Sequence, residues 1–437
     1  MALAAGLAAC SGDDSGTTTP VAVAAEVVAG PESGWDDAGF APDVSTMRCG
    51  QSASEPSRGV SDTEITVGGL AYLTSPNGSS MAGVEDGAKA RFERANAEGG
   101  VNGRKINYIG TLDDGYDPGR NSSQAKVLVD QKKVFAAVPV LTGYANYLDT
   151  FCSETVPFFG WGINDSFCKT TIGFGFTGCL VSKEDVGYLP TTYGLTIQAL
   201  FGGDAKGKTT ALVGVDNDTA RQGLDYLERQ MQTVGVNVVY KETPFAAAGT
   251  SDTTAAVNAI MTADKGSPPD VVLYGLDFNS TLKMTEALNA AGFEGKHLST
   301  VSYDPRLAAA GLPALQKSYA LLQWQPAIDT TIPAIKQLVD DFAKYAPTTA
   351  LSLPAMAGYW SADMFITAAT KAGRDLTVDN LLKFMNNNYS YYVEGAVGET
   401  RWPLNHVVSA PCTAVVQLDG AKYDTITKLV CGSLVKS

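Results

Sequence analysis

A chain of 437 residues, 45% hydrophobic and only 18% charged, can bury extensive cores, and its length predicts two or three domains. Thirty-two basic against 46 acidic residues give a net charge of −14, which excludes nucleic acid and an anionic membrane surface as partners, because both require a basic footprint. No run of about 18 uncharged apolar residues occurs, so no segment is predicted to span a bilayer.

The chain opens MALAAGLAACSGDDSG, with a cysteine where small apolar residues give way to Ser, Gly and Asp. Seven cysteines cannot all pair within one chain, and disulfides persist only in an oxidising compartment, so the protein is expected to be exported with one cysteine left over. Leu7-Ala8-Ala9-Cys10 resembles the lipobox of bacterial lipoproteins, which implies a lipid on the Cys10 thiol and a signal peptide ending at residues 1–9. That stretch lacks a leading Lys or Arg and a longer apolar run, as though the start codon were placed too late. Residues 10–58, rich in Ser, Thr, Gly, Ala and Pro, are expected to form the lipidated cysteine and a flexible tether.

From about residue 60, strands alternate with helices. EITVGGLAYL (64–73) is β-rich, and SSMAGVEDGAKARFERANAEGG (79–100) spaces Met81, Val84, Ala88 and Phe92 as a helix does. The unit repeats at 104–114 with 119–131 and at 134–141 with 145–154, and VPFFGWG (156–162) supplies a fourth strand. The pattern restarts with a helix at 191–202, a strand at 208–216, a helix at 219–235 bearing Leu224, Leu227 and Met231 on one face, and a strand at 236–245. SDTTAAVNAIMTAD, PDVVLYGL, NSTLKMTEALNAAGF and KHLSTVS continue it. Helical patterns at 332–346 and 356–373 and a hairpin, CTAVVQLDG then YDTITKLVC, close the chain. Such alternation predicts parallel pairing with right-handed crossovers, hence an α/β protein of two Rossmann-like lobes with doubly wound parallel sheets enclosing a cleft. Ligands bind such sheets beyond the carboxyl ends of the strands.

ITVGGLAYLTSPNGSSMAGVEDGAKARFERANAEGGVNGRKI, PVLTGYANYLD, VDNDTARQGLDYL and YGLDFNSTLKMTEALNAAGF, taken as an ordered set over residues 60–420, resemble the type I periplasmic solute-binding proteins. The resemblance is to the lipoprotein receptors of ABC importers in the branched-chain amino acid (Leu/Ile/Val) family. It implies three hinge crossings, near Leu180 to Asp185, Leu322 to Ala327 and Arg401 to Ser409. The N-terminal lobe would then be 59–183 with 325–402, and the C-terminal lobe 184–324 with 403–437. The implied function is an extracytoplasmic lipoprotein, a monomer on the outer face of the cell membrane and held there by its N-terminal lipid alone. It would capture a small polar solute, an amino acid or related amide or carboxylate, and deliver it to an importer permease. No cofactor or metal is implied. A ligand-sensing receptor subunit on the same fold is the alternative, and a secreted hydrolase the more remote one.

Two motifs point elsewhere at first sight. GGDAKGKT (202–209) fits the phosphate-loop expression, but that chemistry needs a strand entering the loop and a helix leaving it, and here a helix precedes and a strand follows. GFGFTG (173–178) fits the dinucleotide expression, yet no helix follows in register, so its glycines are expected in a loop. Catalysis has little to work with, since His297 and His406 stand apart and show no metal spacing.

An amino-acid-type ligand needs donors for a carboxylate, acceptors for an ammonium and an apolar wall. Thr74, Ser75 and Asn77 follow the first strand, and Leu141, Thr142 and Tyr144 the third. The family holds a ligand's carboxylate and amino groups on these loops, often through a Ser-Ser or Ser-Thr pair, where this chain reads Leu141-Thr142. Trp161, with Gly162 beside it, is the candidate aromatic wall. Asp216 and Asn217, Asp277 and Phe278, and Tyr303 and Asp304 stand where second-lobe strands should end, although Asp and Asn there also serve as helix caps. Tyr359 matches a helix that borders the cleft in the family. Fifteen pairings of six body cysteines are formally possible. Cys412 with Cys431 brackets the hairpin, Cys168 with Cys179 closes a short loop, and Cys49 with Cys152 remains.

Overall fold

The computed structural model describes residues 42–437 except 77, 79, 183–185, 247–248 and 250–251. Cys10, the first part of the tether, Asn77 and part of the first expected crossing therefore lie outside the described residues.

The first lobe is a five-stranded parallel sheet. β1 (Glu64–Ala71) leads to α1 (Val84–Ala97), then β2 (Lys105–Asp113), α2 (Pro118–Lys126), β3 (Ala136–Leu141), α3 (Leu148–Ser153), β4 (Phe158–Gly160) and β5 (Gly173–Gly175). The order across the sheet is β2-β1-β3-β4-β5. Every residue of β3 is buried, as a central parallel strand covered on both faces requires. β5 corrects the expectation of a loop at GFGFTG: Gly173, Phe174 and Gly175 pair in parallel register with Phe158, Phe159 and Gly160. The strand is too short, and too rich in glycine, to announce itself by alternation.

The second lobe runs β6 (Tyr188–Pro190), α4 (Thr192–Leu200), β7 (Thr209–Val215), α5 (Asp218–Gln232), β8 (Asn237–Phe245), α6 (Thr254–Met261), β9 (Val271–Gly275), α7 (Phe278–Ala290), β10 (Lys296–Ser299), α8 (Pro305–Ala310) and β11 (Tyr319–Leu322). The chain then returns to the first lobe with α9 (Pro333–Tyr345), α10 (Leu353–Ala372), α11 (Val378–Met385) and the hairpin β12 (Tyr389–Val393) with β13 (Val397–Trp402). It ends in β14 (Cys412–Asp419), β15 (Lys422–Cys431) and β16 (Leu434–Lys436). The second sheet is ordered β15-β14-β11-β10-β9-β7-β8, with β14 and β15 antiparallel to their neighbours, while β16 pairs separately with β6. The GGDAKGKT segment joins α4 to β7, and Lys208 is spent on Asp270 at 3.1 Å, so it forms no phosphate loop.

Local sequence sets the helix starts. Asp117 accepts from the Arg120 amide and Pro118 occupies the first turn of α2, while Asn217, Asp277 and Thr377 cap α5, α7 and α11 in the same way. The first-lobe core continues into the returning segment: Ile335, Leu338, Met364, Phe365 and Trp402 belong to the same buried cluster as β1 and β3. α1 and α10 cross so closely that a methyl group on Gly87 would meet the Ala355 carbonyl, and one on Gly358 would meet that of Val84. Arg91 of α1 pairs with Asp363 of α10 at 2.6 Å, and Arg94 of α1 with Asp341 of α9 at 3.1 Å. Three disulfides join Cys49 to Cys152, Cys168 to Cys179 and Cys412 to Cys431. Among the described residues no helix is long and apolar enough to cross a membrane.

Both histidines are buried. His297 meets the Tyr274 hydroxyl through Nδ1 at 2.6 Å and Asn289 through Nε2 at 3.0 Å, and His406 Nε2 meets Asn386 at 2.7 Å. Burial lowers them from 6.5 to about 4 and about 3 respectively. Below about pH 6.5 the unfolded chain takes up these two protons while the native protein does not, so stability falls as pH drops through that window and is unaffected above it. Each histidine should contribute a slope of about 1.4 kcal/mol per pH unit between pH about 6 and about 4.5. Denaturant unfolding from pH about 7 down to about 5 checks this, and an unchanged midpoint would refute it.

Candidate functional site

In each sheet the strand order reverses once, between β1 and β3 in the first lobe and between β7 and β9 in the second. At such a point successive helices leave to opposite faces and a crevice opens beyond the strand ends. The two crevices face one cavity of about 260 Å³. From the first lobe come Tyr72 and Ser75 after β1, Tyr116 after β2, Gly143 after β3 and Trp161 after β4. From the second come Asn217 after β7, Leu276 and Asp277 after β9, and Thr300 and Val301 after β10. Gln323 stands just beyond β11, and Tyr193, Leu224 and Leu227 carry the cavity between α4 and α5.

The lobes touch around it. The Trp161 Nε1–H donates to Gln323 Oε1 at 2.7 Å, and both side chains are buried. The Trp161 ring also stands edge-on to Trp324 at 5.1 Å. Tyr72 and Tyr116 pack at 5.0 Å between ring centres, and Tyr116 and Tyr144 at 5.0 Å. Tyr116 has a left-handed backbone, φ 55°, and its ring lies where a side chain at position 143 would project, so Gly143 makes room for it. Burial pushes the Tyr72 phenol well above its ordinary value, with Tyr116, Asp277 and Asp114 adding to the effect. Tyr116 is pushed up to about 12 by burial, then by Tyr144, Asp277 and Asp114.

Of the sequence candidates, the structure brings Ser75, Trp161, Asn217 and Asp277 to the cavity. The others have different surroundings. The Thr74 hydroxyl donates to Asp113 at 2.6 Å. Thr142 is fully buried, its hydroxyl donating to Asp114, and the Asn121 amide donates to both, at 2.7 Å to Asp114 and 3.1 Å to Thr142. Leu141 ends β3 inside the core, and the Gly162 carbonyl accepts from the Leu180 amide at 3.1 Å. Tyr144 touches Tyr116 from behind. Asp216 pairs with Arg221 on the surface, and Asp304 caps α8 and pairs with Arg306. Phe278 packs on a small cluster that includes Leu315 and Leu418. Tyr303 is buried against Tyr423. The Tyr359 hydroxyl donates to Asp341 at 2.6 Å, inside the ion-pair cluster formed by α1, α9 and α10.

Tyr72, Tyr116, Tyr193 and Gln323 were not legible as cleft residues. Tyr72 follows its strand directly, which was a usable signal. Tyr116 depends on a left-handed residue, and Leu224 and Leu227 have the spacing of an ordinary core face, so neither carried one. Among the described residues no group of His, Cys, Asp or Glu could hold a metal ion.

Residues 64–422 match the model of a family described as periplasmic binding protein. No curated protein matches the sequence. Among solved structures, a branched-chain amino acid ABC transporter protein from Thermus thermophilus with bound valine is 14% identical, with a TM-score of 0.68, covering 85% of this chain and 98% of that one. A fatty acid ABC transporter substrate-binding protein from Thermomonospora curvata is 18% identical, with a TM-score of 0.67, covering 86% and 95%. A solute-binding protein of an ABC transporter from Rhodopseudomonas palustris BisB5, in complex with 3,4-dihydroxy benzoic acid, is 15% identical, with a TM-score of 0.61, covering 86% and 98%. At these identities the structures show a shared fold, and the family match extends over most of the chain. With two α/β lobes closed about a cavity at their paired strand-order reversals, the chain belongs to the periplasmic binding protein family, in its type I form.

Proposed function

We propose that this protein is the receptor of an ABC importer. It takes a small solute between its lobes, 59–183 with 325–402 and 184–324 with 403–437, and presents the closed form to a permease. The observation that carries this reading is the cavity itself, because its walls come from both lobes and only a closed arrangement lets both touch one ligand. Tyr72, Ser75, Tyr116, Trp161, Asn217, Asp277 and Gln323 are the residues we assign to the solute. The solutes named for the compared proteins are a fatty acid, valine and a dihydroxybenzoate, so the fold leaves the ligand open and this cavity must select it. Lipidation at Cys10, a monomeric state and a place on the outer face of the membrane belong to the same reading. Native mass spectrometry of freshly purified protein is expected to reveal a co-purified small molecule. Radiolabelled fatty acid should enter the wild-type chain and not a Cys10→Ser variant, and equal labelling would remove the anchor from the proposal.

Two measurements test the cleft. The solute should raise the melting temperature by mass action, by about 2.7 kcal/mol of added stability at a hundredfold excess over Kd. A broad panel of amines, amides, carboxylates and amino acids that leaves it unchanged would count against the receptor. Trp161→Phe removes the donor to Gln323 and leaves a buried amide oxygen unpartnered. The expected cost is about 1–3 kcal/mol in denaturant unfolding of the unliganded protein, with weaker solute binding. Unchanged binding would take Trp161 out of the site.

A further inference from the structure

The charge of the solute can be read from the cavity, on the footing that the receptor reading above holds. Among the described residues lining it, Asp277 is the one acidic side chain, and Lys, Arg and His are absent. Its backbone position is fixed by its role at the start of α7, where the carboxylate accepts from the Ser280 amide at 3.0 Å. Opposite it, on the first lobe, stand the phenol rings of Tyr72 and Tyr116, close enough to Asp277 for its charge to act on both. Trp161 and Tyr193 add a third and a fourth aromatic side chain, and most of the remaining wall is aliphatic, from Leu224, Leu227 and Leu276 among others.

Ring faces carry the negative end of the aromatic quadrupole, and a carboxylate beside them gives the cavity one sign of potential. The N-termini of α5 and α7 supply opposing partial positive charge of about half a unit each. Asn217 caps the first and Asp277 itself answers the second. At the first-lobe switch point the Thr142 hydroxyl, placed for a carboxylate in the family's pattern, is instead turned onto Asp114. A ligand carboxylate would therefore enter beside Asp277 with no basic side chain among the described lining residues to receive it, in a region where water screens little. We propose that the cleft selects a small organic monocation, an apolar or aromatic body bearing a single ammonium group, in preference to α-amino acids and carboxylates. Asp277 receives the ammonium, Tyr72, Tyr116 and Trp161 surround it, and the apolar wall of Tyr193, Leu224 and Leu227, from α4 and α5, takes the body.

Isothermal titration of the purified full chain tests this with two matched series. One is 2-phenylethylamine, 2-phenylethanol, 3-phenylpropionate and phenylalanine; the other is 3-methylbutylamine, 3-methylbutanol and leucine. The expected result is that an amine binds roughly tenfold or more tighter than its matched alcohol, acid and amino acid. Asp277→Asn should erase that preference while leaving the melting temperature of the unliganded protein near wild type, because Asn caps a helix as well as Asp does. Tighter binding of an alcohol, carboxylate or amino acid, or a preference that survives Asp277→Asn, would overturn the charge assignment and leave the receptor reading standing. Should no probe bind, the monocation assignment falls with these two bodies. The receptor reading would fall with it only if native mass spectra of fresh protein also show no bound small molecule.

Discussion

Parallel strand pairing is the constraint from which the rest of this molecule follows. A parallel strand cannot be reached by a tight turn, so each pairing here is bought with a crossover, usually a helix, on one face of the sheet. Where the order of strands reverses, those helices separate, and the backbone at the strand ends is left facing an opening rather than a neighbour. The chain makes that reversal twice, at β1 with β3 and at β7 with β9, and sets the two openings against each other. Most of the cavity's walls are then residues at or just past the end of a strand, or on a helix that flanks one.

The two lobes are unequal in how they hold these residues. In the first, the loop after β3 is locked from below by Asp114, Asn121 and Thr142, all fully buried and mutually hydrogen-bonded. Buried polar networks that are fully satisfied rigidify the surface above them. In the second, the cavity residues sit at helix starts, where Asn217 and Asp277 hold the backbone amides of Ala220 and Ser280. The first lobe thus offers aromatic surface on a stiff floor, and the second offers polar groups whose orientation is set by helix geometry.

Much of the fold was legible because its signal is periodic. Strand and helix boundaries in the first half of each lobe fall within a few residues of those the hydrophobic spacing predicts, and the terminal hairpin pairs Cys412 with Cys431 in register. Segments without a clean period were not: β5, with two glycines in three residues, and the Tyr-rich hairpin of β12 and β13 carry no such spacing. The site was legible only in part, for a different reason. Sequence can place Thr142 or Asp304 at a strand end, but whether its oxygen faces a cavity depends on competing partners, and Asp114 and Arg306 take those two. Tyr359 illustrates the same limit at longer range, since the partner that holds its hydroxyl, Asp341, comes from another helix. Asp277 and Asn217 line the cavity even though each is also a cap, because the start of the helix each one caps lies just past a strand end, where the opening begins.

Gly143 is one of three glycines among the described residues on the wall of the cavity, and it is the one whose missing side chain makes room for an aromatic ring. The Tyr116 ring rests in the space a side chain at 143 would occupy, held there by the left-handed turn at its own backbone. Any larger residue at 143 must displace that ring, and the neighbouring Tyr72 limits how far it can go. A single backbone position on the third strand's exit loop thereby ties the place of one aromatic wall to the absence of a side chain, and a larger residue there would reshape the chamber from a loop, outside both sheets.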